Sequence, residues 1–346
     1  MSLPELVAGL MFVGVLAYAV FAGADFGSGV WDLTAGGDER GAPLRTLIDH
    51  VIGPVWEANH VWLIYVVVFL WTGFPAVFAA VCTTFFVPLS LAGLGIVARG
   101  SAFAFRKLAP NLASARLFGA LFAMSSVATP FLFGCVVGGI AAGRVPASGD
   151  GDPWTSWTGP TSLVGGTLAV LTCAFLAATF LTREASLRGD DALTDWCRRR
   201  ALGSGLAAGG VAAIGILPLR SDARTLFDGL TGTALPVILL SAVAGTTALV
   251  ALWVRRWDPA RVAAAVAVAA VVAGWGVGQH PWMLVGSAEI EQSAAPRATL
   301  WGLVLVVGLA AVLVLPPLAY LLSITQQGWW VRRGEGSRGR REPGRG

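Results

Sequence analysis

Long apolar runs alternate with short polar connections along almost the whole chain. A helix that crosses the hydrocarbon core of a bilayer needs about 20 consecutive apolar residues, and about nine runs have this character. The pattern predicts an all-α integral membrane protein with about nine transmembrane helices. The predicted spans are 6–33, 51–72, 75–99, 114–141, 160–182, 201–219, 233–254, 262–279 and 298–325.

The polar connections are too short to form a separate domain. The longest are 143–159 and 183–200. We therefore predict a single transmembrane domain over residues 1–328. The remaining residues, 329–346, are rich in Gly and Arg and predict a basic, disordered tail.

The amino-acid composition agrees with the membrane class and indicates which partners to expect. The chain is 55% hydrophobic and 13% charged, whereas a soluble domain carries about 25% charged residues. Too little polar sequence remains to cover a soluble core of this size. Its basic residues lie in loops and are not interleaved with aromatic residues on a soluble domain, so we expect membrane lipid and no nucleic acid as a partner.

The basic residues also predict the orientation, because cytoplasmic loops carry an excess of Lys and Arg. Of the 24 Lys and Arg residues, 20 fall on one set of helix ends and only 4 on the other. The bias follows strictly alternating loops. We therefore predict a multi-pass protein of the bacterial cell membrane with its N-terminus outside and its C-terminus in the cytoplasm.

Acidic side chains inside the first two apolar runs are the main functional signal. Asp25 lies about 12 Å from the cytoplasmic end of the first span, and Glu57 lies about 9 Å from the same side of the second, at 1.5 Å per residue. Asn59 and His60 sit about a turn deeper, and Asp32 lies at the cytoplasmic boundary. The sequence thus predicts a ladder of polar groups from the cytoplasm towards mid-membrane.

An ionisable residue within a membrane span is a functional-site hypothesis by default, since it needs compensation by protein or water. One interpretation is a proton relay along the ladder. A second is that Asp25 and Glu57 hold helices together by pairing with Arg99 or with a charge on another subunit. A third is binding of a metal or another cation.

Histidine and cysteine positions argue against a redox centre in this chain. His50, His60 and His280 fall at three different levels, so no two of them are placed to ligate one haem. The four cysteines are scattered and form no CxxC pair. We expect no metal site and no cofactor bound by this chain itself.

Four motifs in residues 21–107 resemble subunit II of cytochrome bd-type quinol oxidases. They are GADFG at 23–27, PVWEANHVWLI at 54–64, LWTGFP at 70–75 and RGSAFAFRK at 99–107. Beyond residue 107 the resemblance consists of hydropathy, the number of predicted helices and a weak match at 316–320.

The resemblance implies a fold of two four-helix bundles in pseudo-symmetry plus one peripheral helix. It implies a partner, the haem-bearing subunit I with haems b and d, and a complex that uses quinol to reduce dioxygen to water without proton pumping. It leaves open a structural quinone in this subunit and a small accessory subunit.

The resemblance also implies a cytoplasmic proton path in this subunit. Its residues would be Asp25, Trp56, Glu57 and Asn59, with Tyr320 a weaker candidate.

One residue departs from the family pattern. Some members carry an acid between the aromatic residues of the fourth motif, where this chain has Ala104. Either Asp32 or a loop water takes that role, or the path begins elsewhere. A proton- or cation-coupled secondary transporter that uses the same acids is the alternative function.

Overall fold

A computed structural model describes residues 1–52, 56–106, 112–313 and 316–317. In these residues the chain forms thirteen helices and one short hairpin. The helices are α1 (Leu3–Leu33), α2 (Asp38–Ile52), α3 (Trp56–Gly73), α4 (Pro75–Thr84), α5 (Phe86–Arg106), α6 (Leu112–Ala141), α7 (Pro160–Leu187), α8 (Asp191–Asp222), α9 (Arg224–Thr231), α10 (Leu235–Trp253), α11 (Trp257–Gln279), α12 (Ile290–Ser293) and α13 (Arg297–Leu313). The strands β1 (Trp282–Leu284) and β2 (Ala288–Glu289) pair antiparallel.

Seven of the described helices are long and apolar enough to cross a membrane: α1, α5, α6, α7, α8, α10 and α11. An eighth span is present if α3 and α4 are counted together as one bent segment. The all-α membrane class is therefore confirmed, whereas the predicted count of nine is not reached in the described part of the chain. The ninth predicted span, 298–325, is described as a helix only over Arg297–Leu313, which is shorter than a span.

The predicted boundary between the second and third spans, at residues 73–74, is present in the structure, whereas the third predicted span is divided into α4 and α5. The axis turns by 118° between Glu57–Gly73 and Pro75–Thr84. Phe74, at φ −140° and ψ 62°, is not helical, as expected for a residue that precedes a proline. A second break lies between α4 and α5, where Pro88 removes a helical N–H and its ring would clash with the carbonyl of Thr84.

A further helix occupies a segment that was predicted as a loop. In α2 the apolar residues Leu44, Leu47 and Ile48 recur at helical spacing and are buried. They pack with Leu181 and Cys197 of α7 and α8. A 15-residue amphipathic helix escapes a search for long apolar runs because it buries only one face.

The spanning helices form one continuous set of contacts. Helix α1 packs against α3, α6 and α7, and α6 packs against α5 and α7. Helix α7 also packs against α8 and α11, and α10 packs against α8 and α11. The core shared by α7, α8, α10 and α11 consists largely of alanine, with Phe175, Leu176 and Leu252 as its larger members. Small side chains let these helices approach closely, as in other membrane bundles.

The first compact unit comprises Met1–Ala294, and a second unit begins at Ala295 with α13 as its described helix. The predicted single domain over 1–328 and the predicted disordered tail over 329–346 remain predictions. Tyr320 and the whole tail lie outside the described residues.

Candidate functional site

Asp25 and Arg99 form an ion pair inside the bundle. The guanidinium of Arg99 in α5 donates from Nη2 to Asp25 Oδ1 at 2.7 Å and from Nη1 to Oδ2 at 3.1 Å. Each side chain is only 2% exposed. This two-point arrangement is the strong geometry for an Arg–carboxylate pair. The predicted structural partner of Asp25 is therefore in direct contact with it.

The remaining surroundings of Arg99 complete its hydrogen bonding. Nη2 also donates to the backbone carbonyl of Asp25 at 3.1 Å, and Nε donates to Ser126 Oγ of α6 at 2.9 Å. The rings of Phe26 and Phe122 lie over the guanidinium at 5.0 and 4.8 Å. The two opposite charges neutralise each other, and the guanidinium is also hydrogen-bonded and stacked on aromatic rings. Such a unit can be buried in apolar surroundings.

Glycines bring the helices close enough for this unit to form. A Cβ on Gly27 would collide with the backbone carbonyl of Cys173 in α7, and a Cβ on Gly29 would collide with Ser126. Hence α1 meets α6 and α7 at backbone distance on either side of Asp25. The glycines at 23, 27 and 29 thus allow the close approach that small residues typically permit between membrane helices.

Asp32 belongs to a second ion-paired cluster at the end of α1. Its Oδ1 accepts from Arg45 Nε of α2 at 2.8 Å, and its Oδ2 accepts from Arg106 Nη1 of α5 at 2.6 Å. Arg106 also pairs with Asp49 of α2. The Asp32 side chain is 4% exposed, so the cluster closes this end of α1 with two acids and two bases.

Glu57 lies in a different environment, although it belongs to the neighbouring helix. It is exposed in the first turn of α3 and makes no hydrogen bond or ion pair within residues 1–52, 56–106 and 112–313. Two contacts set the register of α3 on α1: Tyr65 Oη donates to the carbonyl of Leu10 at 3.0 Å, and Asn59 Nδ2 donates to the carbonyl of Phe21 at 3.4 Å. Glu57 lies two residues before Asn59. This places it roughly 3 Å from the level of Asp25 along the helix axis.

His60 lies one helical position past Asn59, on the side of α3 that meets α1. Its ring contacts the rings of Tyr18 and Phe26 edge-on, with centroids 6.2 and 5.9 Å apart. Phe26 in turn stacks on Arg99, so the aromatic contact connects His60 with the buried pair. The side chain of Trp56 is outside the described residues.

The predicted ladder thus divides into two parts. Asp25 and Asp32 are held by arginines inside the chain, whereas Glu57 is exposed on α3 and Asn59 donates a hydrogen bond to α1.

Sequence reasoning did not identify the partners Ser126, Arg45, Arg106 and Asp49. Arg106 lies seven residues after Arg99 and therefore on the same face of α5. This spacing could have identified Arg106 from the sequence.

Tyr18 is another buried polar group that the sequence did not single out. Its hydroxyl is buried and has no hydrogen-bond partner among the described residues. Rings of Phe26, His60 and Phe133 surround it within 6.4 Å. A tyrosine inside an apolar span is indistinguishable by sequence from one at an interface, so only packing identifies it.

The donor atoms of this chain do not fit a haem held by two histidines. His280 contacts Glu5 near the start of α1, His60 contacts rings at residues 18 and 26, and His50 follows Asp49 in the cluster around Asp32. The positions of the three histidines along α1 are therefore separated by several helical turns. Among the described residues, no group of three or more His, Cys, Asp or Glu side chains could hold a metal ion.

Together these features define a multi-pass membrane protein with an ion pair buried between its helices and with the Glu57 carboxylate exposed on α3. The model of the cytochrome bd terminal oxidase subunit II family matches residues 3–325, and the chain belongs to that family. The resemblance inferred from the four motifs is therefore confirmed.

Two relatives show how far the similarity extends. The chain is 26% identical over 176 residues to cytochrome bd ubiquinol oxidase subunit 2 of Bacillus subtilis (strain 168), and the match covers 50% of each protein. The chain thus matches about half the length of this curated relative. A chain in the solved structure of bd oxidase from Geobacillus thermodenitrificans has the same fold, with a TM-score of 0.73, 22% identity, and coverage of 93% of this chain and 98% of that one.

Proposed function

We propose that this chain is the non-haem subunit II of a terminal oxidase that oxidises quinol and reduces dioxygen to water without pumping protons. The family match supports this assignment. In this proposal haems b and d belong to the partner, subunit I. The three separate levels of His50, His60 and His280 support that division of labour, since none of the described histidines is paired for a haem.

The surface that meets subunit I includes the outer side of α3. Glu57 is the observation that carries this step, because its carboxylate is exposed in an otherwise apolar helix. An acid facing hydrocarbon costs several kcal/mol unless protein or water compensates it. Exposed Val61, Ile64 and Trp71 continue the same helix and supply apolar area for a protein contact.

Glu57 is also the proposed proton carrier. It has no internal counter-charge among the described residues, so it can gain and lose a proton without breaking a salt bridge. Asn59 and His60 follow it along α3, and with Trp56 they form the proposed path towards mid-membrane. Tyr320 is retained as a weaker candidate.

Asp25 and Arg99 have a different role in the same path. The pair presents a fixed dipole close to the level of Glu57, and Phe26 connects it with His60. The Asp25 carboxylate is held at two points by the guanidinium of Arg99. We therefore assign Asp25 to setting the local electrostatic potential.

Proton entry is proposed beside Asp32. Ala104 supplies no acid near the end of α5 and is exposed. The cluster of Asp32, Arg45 and Arg106 holds a buried acid, Asp32, at the end of α1 that Arg106 of α5 contacts. Water at its edge would deliver protons from the cytoplasm.

Substitution of Glu57 tests the proposal. In the assembled complex, Glu57→Gln is expected to lower quinol-driven oxygen consumption on the order of 100-fold, since a positioned proton carrier contributes about that much or more. Glu57→Asp keeps the acid and is expected to retain most of the activity. The absorption spectrum of the haems reports whether the complex assembles.

The matched control is Glu39→Gln, which removes one exposed acid from the amphipathic helix α2. It is expected to leave oxygen consumption unchanged. Normal activity of Glu57→Gln in a complex with a normal haem spectrum would refute the role of Glu57 as a carrier. A stable, colourless chain that purifies without any haem protein would instead favour the transporter alternative.

We further propose that the N-terminus lies outside and the C-terminus in the cytoplasm. The bias of Lys and Arg towards one set of helix ends supports this orientation. Alkaline phosphatase fused after Gly151 should be active, and the same enzyme fused after Gly189 should be inactive. The reverse pattern would overturn the orientation.

We also propose that the spans form two four-helix bundles in pseudo-symmetry plus one peripheral helix. The first bundle would contain α1, α3, α5 and α6, and the second α7, α8, α10 and α11; the family match supports this arrangement.

A further inference from the structure

An apolar groove follows one side of α10. It has a volume of about 740 Å³ and is lined from Ala242 through Thr246 and Val250 to Val254. Arg256 lies at its end. The volume is within the range of about 300–1,000 Å³ that is typical of ligand sites.

The groove is apolar although two threonines line it. Thr246 Oγ1 donates to the carbonyl of Ala242, and Thr247 Oγ1 donates to the carbonyl of Val243, both at 2.8 Å. Their hydroxyl hydrogens are thus committed to the helix. What remains available to a ligand in the groove is mainly methyl and methylene surface.

The length of the groove matches one leaflet of a bilayer. Twelve residues separate Ala242 from Val254, which corresponds to about 18 Å along a helix axis. Half of the hydrocarbon core measures about 15 Å. An extended acyl chain therefore fits along the groove with its polar end near Arg256.

The guanidinium of Arg256 makes no ion pair and no hydrogen bond with the described residues. Two neighbouring arginines, in contrast, already have partners. Arg255 pairs with Asp195 at 3.1 Å, and Arg198 donates to the carbonyls of Leu252 and Trp253 at 2.8 and 2.9 Å.

Charge complementarity thus favours an anion at the end of the groove. Trp253, 70% exposed, stands next to it, as is typical of tryptophan at the level of lipid headgroups.

We propose that this groove is a binding site for one anionic phospholipid. An acyl chain lies along α10, and the headgroup phosphate binds Arg256. The site lies on α10 and the residues that follow it, apart from α1, α3 and α5, which carry the acids described above. Its function is independent of the proposed proton path.

Native mass spectrometry of the purified full chain in its complex tests the proposal. Phosphatidylglycerol and phosphatidylcholine with the same acyl chains are titrated separately, and bound lipid is counted. The wild type is expected to retain phosphatidylglycerol in preference to phosphatidylcholine. Arg256→Gln should weaken phosphatidylglycerol binding about fivefold, the contribution expected of one basic residue at a membrane surface.

Two further variants separate the groove from general surface charge. Thr246→Phe fills the groove, keeps Arg256 and is expected to reduce binding of phosphatidylglycerol. Arg199→Gln removes an exposed arginine of α8 that does not line the groove, and it should leave binding unchanged. Gel filtration shows whether each variant is folded.

Three results would overturn the proposal. They are equal retention of the two lipids by the wild type, equal effects of Arg256→Gln and Arg199→Gln, and unchanged binding in folded Thr246→Phe. Retention of a neutral molecule such as a quinone in the groove, with no dependence on Arg256, would also reject an anionic lipid as its occupant.

Discussion

Asp25 and Glu57 are carboxylates of two neighbouring antiparallel helices at about the same level, but their surroundings are opposite. Asp25 is buried and bonded at two points to Arg99, whereas Glu57 is exposed and has no internal counter-charge among the described residues. The same chemical group therefore serves two purposes in one bundle. An acid whose charge is balanced inside the chain stabilises the fold, and an acid left unbalanced at the surface marks where something else must bind.

Removing the partner of the buried acid should have the largest effect on stability. Arg99→Gln leaves the Asp25 carboxylate without its counter-charge, and breaking such a pair costs about 3–5 kcal/mol. We expect the free energy of unfolding of the full chain in detergent, followed by circular dichroism, to fall by this amount. The double variant Asp25→Asn/Arg99→Gln should recover part of the loss, because it removes both charges.

A loss below about 1 kcal/mol in Arg99→Gln, similar to that of the exposed control Arg199→Gln, would contradict a structural role for the pair.

The close approach of α1 to α7 provides the next test. Gly27→Ala places a methyl group against the carbonyl of Cys173. Overpacking of this kind costs about 1–3 kcal/mol. Gly9→Ala in the same helix is the matched control, since nothing lies within 4 Å of its added Cβ.

We expect thermal unfolding to separate the two glycine variants. Gly27→Ala should be less stable than the wild type. Gly9→Ala should be equal or more stable, because alanine favours helix by about 1 kcal/mol over glycine. Equal stability of the two variants would argue against close packing around Asp25.

Asp152 lies outside the membrane spans, and its replacement should have a smaller, pH-dependent effect on stability. Asp152 Oδ1 accepts from the backbone N–H groups of Thr155 and Trp154 at 2.7 and 2.9 Å, and these bonds hold the pKa of the carboxyl below its ordinary value of 3.8. A lowered folded-state pKa stabilises the fold above the unfolded pKa, and the contribution is lost as the pH falls through the folded value.

The wild type and Asp152→Ala should therefore differ in unfolding temperature by a constant amount from pH 7 to about pH 4. Below that range the difference should shrink. A difference that shrinks already between pH 7 and pH 5 would show that another group is responsible.

The smallest expected effect on stability is that of Glu57→Gln. Since this carboxylate makes no internal contact among the described residues, its replacement should change the free energy of unfolding of the chain by no more than about 0.5 kcal/mol. Combined with the large expected loss of oxygen consumption, this would separate function from folding. A loss comparable to that of Arg99→Gln would remove the contrast between the two acids.

The sequence predicts most of the spans because apolar runs of sufficient length can cross a bilayer in few other ways. It does not predict the 118° turn at Phe74–Pro75, where it predicts only a boundary between two spans, or the break before Phe86. Proline is tolerated in membrane helices when neighbouring groups satisfy the freed carbonyl, so its presence alone does not decide between a kink and a turn. The amphipathic helix α2 was overlooked because its apolar face is narrow and its length is below that of a span.

The candidate site was predictable in part. The level of Asp25 and Arg99 follows from counting residues, and their contact was one of the interpretations available from the sequence. The direction in which the Glu57 side chain points could not be predicted, because α3 is apolar on every side after His60 and Val61–Trp71 shows no preferred face. Pairings such as Asp32 with Arg45 and Arg106 depend on how three helices meet, which single-helix patterns do not contain.

The ion pair between Asp25 and Arg99 also constrains biosynthesis. Its members are 74 residues apart in the chain, and a ribosome adding about 5–20 residues per second needs roughly 4–15 s to cover that distance. During this interval α1 has left the ribosome with an acid and no base to balance it. The first helix is therefore made before its counter-charge, and the order in which α1 and α5 enter the membrane is part of how this bundle is built.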